Sequence, residues 1–285
     1  NNLKLIDYGL DPITSPEEIN LIEKKKYQLM NKSMEKNGSM GKWMMRNTAS
    51  IQVSFDIISE EDMEEMAFVA DCLHPIAAYL FANSPYQNGK ATELKNMRNI
   101  IWENTDQHRC RSLFDHTIDI PNGLVDRYIE YILKVQSIFK LNLQGEVESS
   151  DKRLGEVLQN LYDKKCLNDK DIQAALHQIF TNVRLKSLVE VRGADRTPRG
   201  YEMAPVAFWT GLLMENKARA EAHKVLMTWN KNDRKLFNKA GLSLDKRQPG
   251  PKGKTYEEWI KWCGELALNG LRRRGLKEEV LFDKF

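Results

Sequence analysis

Charged and apolar residues alternate along the segment 184–192, which reads Arg-Leu-Lys-Ser-Leu-Val-Glu-Val-Arg. This period of two is typical of a half-buried β-strand. It places four charged side chains on one face, namely Arg184, Lys186, Glu190 and Arg192. A carboxylate beside guanidinium and ammonium groups could hold a metal ion together with phosphate oxygens. The alternative is a solvated sheet edge that carries an ordinary ion pair.

A second segment with a period of two, from about Met45 to Asp56, predicts another strand. One of its faces carries only small hydrogen-bonding groups and one amide, that of Gln52. An ordinary wet face would explain the same pattern. Two isolated strands cannot form a stable sheet. We therefore expect either strands that the pattern does not reveal or sheet partners outside this sequence.

Helical patterns surround the two strands. A long helix is predicted from Ser59 to about Phe81, and Pro75 is expected to kink it. A second helix, at about 91–103, places Arg98 and Trp102 one turn apart, beside its apolar stripe. Further helices are predicted over most of 1–40 and at 123–141, 151–163, 169–180, 203–227, 231–241 and 255–274.

Composition excludes several classes of protein. With 285 residues, 41% hydrophobic and 29% charged, the chain is globular and has one large or two small domains. A net charge of +3 spread along the chain does not indicate nucleic-acid binding. No apolar run is long enough to span a membrane, and no secretory signal is visible. The four scattered cysteines lack zinc-site spacing and indicate reduced thiols in a cytosolic protein.

Several sequence blocks resemble the glutamate–cysteine ligases of the plant and proteobacterial branch. They are Met44–Asp56, Leu80–Pro85 (LFANSP), Met97–Trp102 with Thr105, Asp106 and Arg109, Val183–Asp195, and Pro205–Leu213. They occur in the family's order with similar spacing, and the resemblance covers nearly the whole chain. The ordered set argues against an unrelated helical scaffold.

The resemblance implies an α+β fold related to that of glutamine synthetase, with a mainly antiparallel sheet, only partly present here, and many surrounding helices. It implies one catalytic domain over residues 1–285 that lacks the family's N-terminal part. The implied reaction is the ATP-dependent ligation of the γ-carboxyl of glutamate to the amine of cysteine through γ-glutamyl phosphate, the first step of glutathione biosynthesis. Metal ions and cationic side chains would gather the negative oxygens.

The resemblance also implies roles for individual residues. Glu190 would be a magnesium ligand and Arg192 a phosphate contact, and both would be catalytic. Gln52 would face the cleft that holds metal and substrate. Arg98 and Trp102 would bind the substrate amino acid, because an arginine beside an aromatic ring suits an α-carboxylate. The alternatives are an ordinary ion pair for Arg98 and core packing for Trp102.

Three further positions bear on this reading. Arg109 would neutralise phosphate or carboxylate, or be only a loop charge. Lys26 stands where plant members carry an arginine, which keeps the charge but loses the bidentate fork. Asn47 also replaces an arginine of the plant branch, so plant-like details of substrate binding remain open.

The family's acidic N-terminal strand, whose glutamates bind magnesium, has no counterpart before Asn1. We therefore expect the C-terminal portion of a longer ligase, completed by an N-terminal segment or a second chain. The alternatives are a degenerate relative that binds a ligand or a protein without catalysis, and a ligase with another amine acceptor. The expected ligands are ATP, Mg²⁺, glutamate and cysteine. Neither nucleic acid nor membrane is expected, and the expected location is cytoplasmic.

Overall fold

The computed structural model describes residues 5–285. Within them the helices are α1 Lys25–Asn37, α2 Gly41–Asn47, α3 Glu60–Leu80, α4 Met97–Glu103, α5 Leu124–Lys134, α6 Leu154–Asp163, α7 Asp169–Leu176, α8 Ala204–Leu213, α9 Asn216–Leu226, α10 Lys231–Ala240 and α11 Tyr256–Arg274. The strands are β1 Ser50–Phe55, β2 Tyr86–Gln87, β3 Lys90–Ala91, β4 Phe139–Leu141, β5 Val147–Ser149, β6 Val183–Leu185 and β7 Val189–Asp195. The chain is therefore α+β, with small antiparallel sheets among many helices. None of the described helices combines the length and apolarity needed to cross a bilayer.

The central sheet has the order β1-β7-β6, and both of its pairings are antiparallel. The predicted single strand 184–192 is in fact a hairpin, because the chain turns between Leu185 and Val189. Its register sets Arg184 directly opposite Glu190. The four charged residues still share one face, as predicted, but they meet across two strands.

The inner face of this sheet packs on α3, which is buried along most of its length. The helix begins where the sequence predicts, and Ser59 caps it by accepting the N–H of Asp62 at 3.1 Å. Pro75 lies inside the helix without ending it. Since α3 is apolar on nearly every side, it acts as the centre around which the other layers pack.

Helices α8 and α11 pack behind this centre with unusually close backbones. Gly211 and Gly270 face one another, and a Cβ atom on either residue would collide with backbone of the opposite helix. Glycine is therefore required at both positions, since no other residue lacks this atom.

Several predicted boundaries are wrong. Residues 45–47 belong to α2, and the helix predicted at 123–141 ends at Lys134 and is followed by β4. The helix predicted at 203–227 is two helices, α8 and α9. Of the helix predicted over most of 1–40, the described part begins only at Lys25, and Ser15 and Glu18 are hydrogen-bonded to each other in a turn before it. The part of the N-terminal helical prediction that falls on residues 1–4 lies outside the described residues.

Candidate functional site

Glu190 lies at the centre of a cluster of three cationic side chains. Its Oε1 atom is 2.7 Å from Nη2 of Arg184 and 2.5 Å from Nη1 of Arg192, and its Oε2 atom is 2.7 Å from Nζ of Lys186. The hairpin produces this arrangement, because Arg184 stands opposite Glu190 and Lys186 reaches back from the turn. We call Arg184, Lys186 and Arg192 the cation cluster. It exceeds the charge of Glu190 by two and so favours a further anion.

The electrostatics of the cluster keep Glu190 ionised. Burial would raise the pKa of this carboxyl, but hydrogen bonds and charges from Lys186, Arg192 and Arg184 outweigh burial and lower the pKa to about 2. Burial, together with the charge of Arg184, lowers the pKa of Arg192 to about 10. Glu190 and Arg192 are therefore both charged at neutral pH.

Gln52 and Trp102 lie against the same cluster. The amide oxygen of Gln52 accepts a hydrogen bond of 2.8 Å from Nη1 of Arg192. The guanidinium carbons of Arg192 and Arg98 lie 5.4 and 5.7 Å from the centre of the Trp102 ring, within reach of cation–π attraction. The structure thus brings these predicted residues together on one side of the sheet.

Arg98 is buried, with 4% of its surface exposed, and it is held mainly from within the protein. Its Nη1 atom lies 3.5 Å from Oδ1 of Asp195, and its Nη2 atom donates to the carbonyl of Arg192 at 3.3 Å. Among the described residues, Nε of Arg98 and Nε1 of Trp102 have no hydrogen-bond acceptor. Two buried donors are therefore left for a ligand.

Arg98 and Trp102 line a small cavity of about 10 Å³, which is room for about one water. His74 and Gly193 also line it. Burial and the charge of Arg98 lower the pKa of His74 to about 3, so its ring is neutral at physiological pH. A Cβ atom on residue 193 would collide with that ring. His74 was missed from the sequence, where it appears as one polar residue in a helix.

Lys26 lies near the edge of the cluster, with its ammonium 5.7 Å from the centre of the Phe139 ring. Burial lowers the pKa of Lys26, and the charge of Arg184 lowers it further. The charges of this cluster also act on the pKa of His177. Burial, followed by the charges of Lys186, Arg184 and Lys26, lowers the pKa of this second histidine that sequence reasoning did not select.

Arg109 lies apart from these residues and is fully buried. Its Nε donates to Asp106 at 2.7 Å, its Nη1 to the carbonyl of Gln178 at 3.2 Å, and its Nη2 to the carbonyl of Gln136 at 2.7 Å. All three nitrogens are thus engaged in joining separate chain segments. This geometry gives Arg109 a structural position, because its side chain is fully buried and three of its five N–H groups join separate segments.

The described residues do not by themselves fit a magnesium ion. No group of three or more His, Cys, Asp or Glu side chains in residues 5–285 is arranged to hold a metal. Both oxygens of Glu190 are also engaged by cations. Glu190 could supply one ligand, and the remaining oxygens that Mg²⁺ requires would have to come from elsewhere.

Comparison with known proteins gives consistent relatives. Residues 2–241 match the sequence model of glutamate–cysteine ligase family 2. The chain is 31% identical over 275 residues to glutamate–cysteine ligase A, chloroplastic, of Oryza sativa subsp. indica, covering 95% of this chain and 55% of the relative. It is 32% and 33% identical over 280 residues to the chloroplastic enzymes of Arabidopsis thaliana and Brassica juncea, covering 95% of this chain and 52% of each relative.

The chain spans about half the length of these curated relatives. Their names contradict the predicted cytoplasmic location, because each is called chloroplastic. The prediction was wrong because it rested on the cysteines. All four are free thiols, as expected, but free thiols do not distinguish one reducing compartment from another. The match over residues 2–241 confirms the resemblance, and the chain belongs to glutamate–cysteine ligase family 2.

Proposed function

We propose that this chain carries the cation-lined part of the active site of a glutamate–cysteine ligase. The reaction would join the γ-carboxyl of glutamate to the amine of cysteine with ATP as phosphoryl donor, the first step of glutathione biosynthesis. Family membership supports this proposal. The single observation that carries it is the cation cluster, where three cations surround one buried carboxylate on a shared sheet face. The chloroplastic names of the relatives support a plastid location.

The proposed reaction has two steps. First, a γ-carboxylate oxygen of glutamate attacks the terminal phosphorus of ATP, a new P–O bond forms, and ADP leaves. Next, the cysteine nitrogen attacks the acyl carbon, the C–O bond to phosphate breaks, and the nitrogen loses a proton as inorganic phosphate departs. Both steps concentrate negative charge on phosphoryl oxygens, which fixed cations stabilise. Arg184, Lys186 and Arg192 are placed to supply those cations.

Arg98 and Trp102 would bind the substrate amino acid. Both residues line the same water-sized cavity, and each keeps one buried donor without a protein partner, so a carboxylate oxygen in the place of a water could accept from either of them. Gln52 would orient Arg192 through their hydrogen bond, and Lys26 would meet phosphate at the edge. Arg109 is left out of ligand contacts in this proposal, because its nitrogens are already engaged.

Magnesium would accompany ATP. Glu190 would contribute one carboxylate oxygen to it if a side chain of the cation cluster gave up its contact with that oxygen. The other ligands, and further strands of a sheet related to that of glutamine synthetase, would lie in an N-terminal segment or a second chain. The antiparallel order β1-β7-β6, covered on one face by α3, supports that larger fold.

The test is an incubation with ATP, Mg²⁺, glutamate and a mixture of amino acids, followed by mass spectrometry of γ-glutamyl products. With the N-terminal segment or second chain that completes the site present, we expect γ-glutamylcysteine from the unmodified protein and none from Glu190→Gln. The matched control is Glu148→Gln, which removes a half-buried carboxylate that pairs with Lys140 and Asn142 instead of the cation cluster, and it should leave turnover unchanged. Full turnover by Glu190→Gln would refute the proposed site.

A second candidate function is binding without catalysis. The observation in its favour is the lack of a metal-binding group among residues 5–285. Calorimetric titration with ATP and with glutamate separates the two functions. Binding of either ligand without product would support a binding module. Product with another amino acid in place of cysteine would identify a ligase with a different amine acceptor.

A further inference from the structure

A buried carboxylate that the proposed reaction does not use lies at the end of β7. Asp195 has no exposed surface. Its Oδ2 atom accepts the backbone N–H of Asn83 at 2.7 Å. Its Oδ1 atom faces Nη1 of Arg98 at 3.5 Å and has no hydrogen-bond donor at shorter range.

The surroundings of Asp195 hold it in place. Gly9 packs against the carboxylate so closely that a Cβ atom on residue 9 would collide with it. The side chain of Asn83 donates to the carbonyls of Asp7, at 2.6 Å, and of Arg196, at 2.8 Å. Ser84 accepts the backbone N–H of Arg98 at 3.1 Å. Arg98 is therefore fixed at its backbone by Ser84 and at its guanidinium by Asp195, and the hydrogen bond from Asn83 to Asp195 joins these two segments.

The two charges depend on each other. Burial raises the pKa of Asp195, and the charge of Arg98 opposes this. Burial lowers the pKa of Arg98, and Asp195 opposes that in turn. Among the described residues, Asp195 is the one carboxylate in salt-bridge distance of Arg98. Removing one partner of such a pair leaves the other buried and uncompensated.

We propose that Asp195 is a positioning residue, which holds the guanidinium of Arg98 in place at the cavity shared with Trp102 and leaves its Nε without a protein partner. The carbonyl of Arg192 supports the other side of the guanidinium. The identity of the ligand at Nε, the carboxylate of glutamate or cysteine, rests on the proposed function. The orientation of Arg98 does not depend on it.

The test of ligand binding is a double-mutant cycle in the full chain, read by calorimetric titration with glutamate, cysteine and ATP. Asp195→Asn should weaken binding of one of the amino acids by about tenfold, the size typical of coupled neighbours, and change ATP binding by less than about twofold. In an Arg98→Met background, Asp195→Asn should cause no further loss. Equal losses for amino acid and ATP, or additive losses in the double variant, would overturn the proposal.

The control variant is Glu103→Gln. This carboxylate lies on the same helix as Arg98, α4, but accepts its side-chain hydrogen bond from Asn99. It should leave amino-acid binding unchanged. A loss equal to that of Asp195→Asn would show a general effect of charge on this helix.

Nitrogen NMR of the arginine side chains tests, without any ligand, whether the guanidinium of Arg98 is held in one orientation. In the unmodified protein the Arg98 signal, assigned by its loss in Arg98→Lys, should show slow solvent exchange at Nε and restricted rotation of the guanidinium. Free rotation would overturn the proposal, even if Asp195→Asn fails to fold. A restricted Arg98 in a protein that binds neither glutamate nor cysteine would keep the positioning role and reject the proposed function.

Discussion

His74 should make the protein sensitive to mild acid, since its neutral ring is buried against Gly193 and beside Arg98. Its pKa is about 3 in the folded protein, against an ordinary histidine value of 6.5. Above about pH 6.5 neither the folded nor the unfolded state binds the proton. As pH falls from 6.5 towards 3, only the unfolded state binds it, and the free energy of unfolding decreases by about 1.4 kcal/mol per pH unit.

These pKa values give the size of the effect. Between pH 7.5 and 5.0, His74 alone should remove about 2 kcal/mol from the free energy of unfolding. His74→Gln fills similar space with a side chain that does not titrate. We expect the variant to be less stable at pH 7.5, because the buried amide of the new glutamine would lack a hydrogen-bond partner. Its free energy of unfolding should nevertheless fall by about 2 kcal/mol less between the two pH values than that of the unmodified protein.

The assay is urea unfolding followed by tryptophan fluorescence at both pH values. Other titrating groups, such as His116 and His177, contribute equally to both proteins and cancel in the difference. His108→Gln, an exposed histidine, is the control and should behave as the unmodified protein. If the free energy of unfolding falls by the same amount in both proteins, to within about 0.5 kcal/mol, the inference that His74 is buried and neutral is refuted.

Three shorter predictions follow from the same structure. Arg109→Met should lower the free energy of unfolding by about 3–5 kcal/mol in urea titration, because it leaves the buried carboxylate of Asp106 without its cation. Unchanged stability together with selectively weaker ATP binding would show a ligand role for Arg109 instead. Gly193→Ala should cost about 1–3 kcal/mol in the same titration, since the added methyl group collides with His74; an unchanged midpoint would exclude that contact. Lys26→Ala should weaken ATP binding by about tenfold in calorimetry. The control variant Lys25→Ala, which changes an exposed neighbour, should leave ATP binding unchanged, and equal losses in the two variants would place Lys26 outside the phosphate site.

The charged face at 184–192 shows what could and could not be predicted. Alternation assigned the four charged residues to one face, and that is correct. The turn was missed because Lys186, Ser187 and Leu188 include none of the glycine or asparagine residues that mark tight hairpins. The prediction of a shared face stayed correct despite the missed turn. Arg184 and Glu190 stand opposite each other in the hairpin, and opposite residues in an antiparallel pair point to the same side.

Other members of the site could not be predicted from local patterns. His74 and Asp195 acquire their surroundings from contacts with Gly193, Arg98 and Asn83, which lie far away along the chain. The buried position of Arg109 likewise depends on segments around residues 136 and 178. Periodicity reports which side of an element is buried, but it does not report which remote element covers it.

The hairpin that pairs Glu190 with three cations has a consequence for how ligands enter. The carboxylate acts as a resident counter-ion, which keeps three like charges close together before any phosphate arrives. A phosphate that takes over these donors releases a carboxylate, and a released carboxylate is itself a ligand for a divalent cation. Anion and cation binding are therefore linked through one side chain, and each should strengthen the other by the same factor.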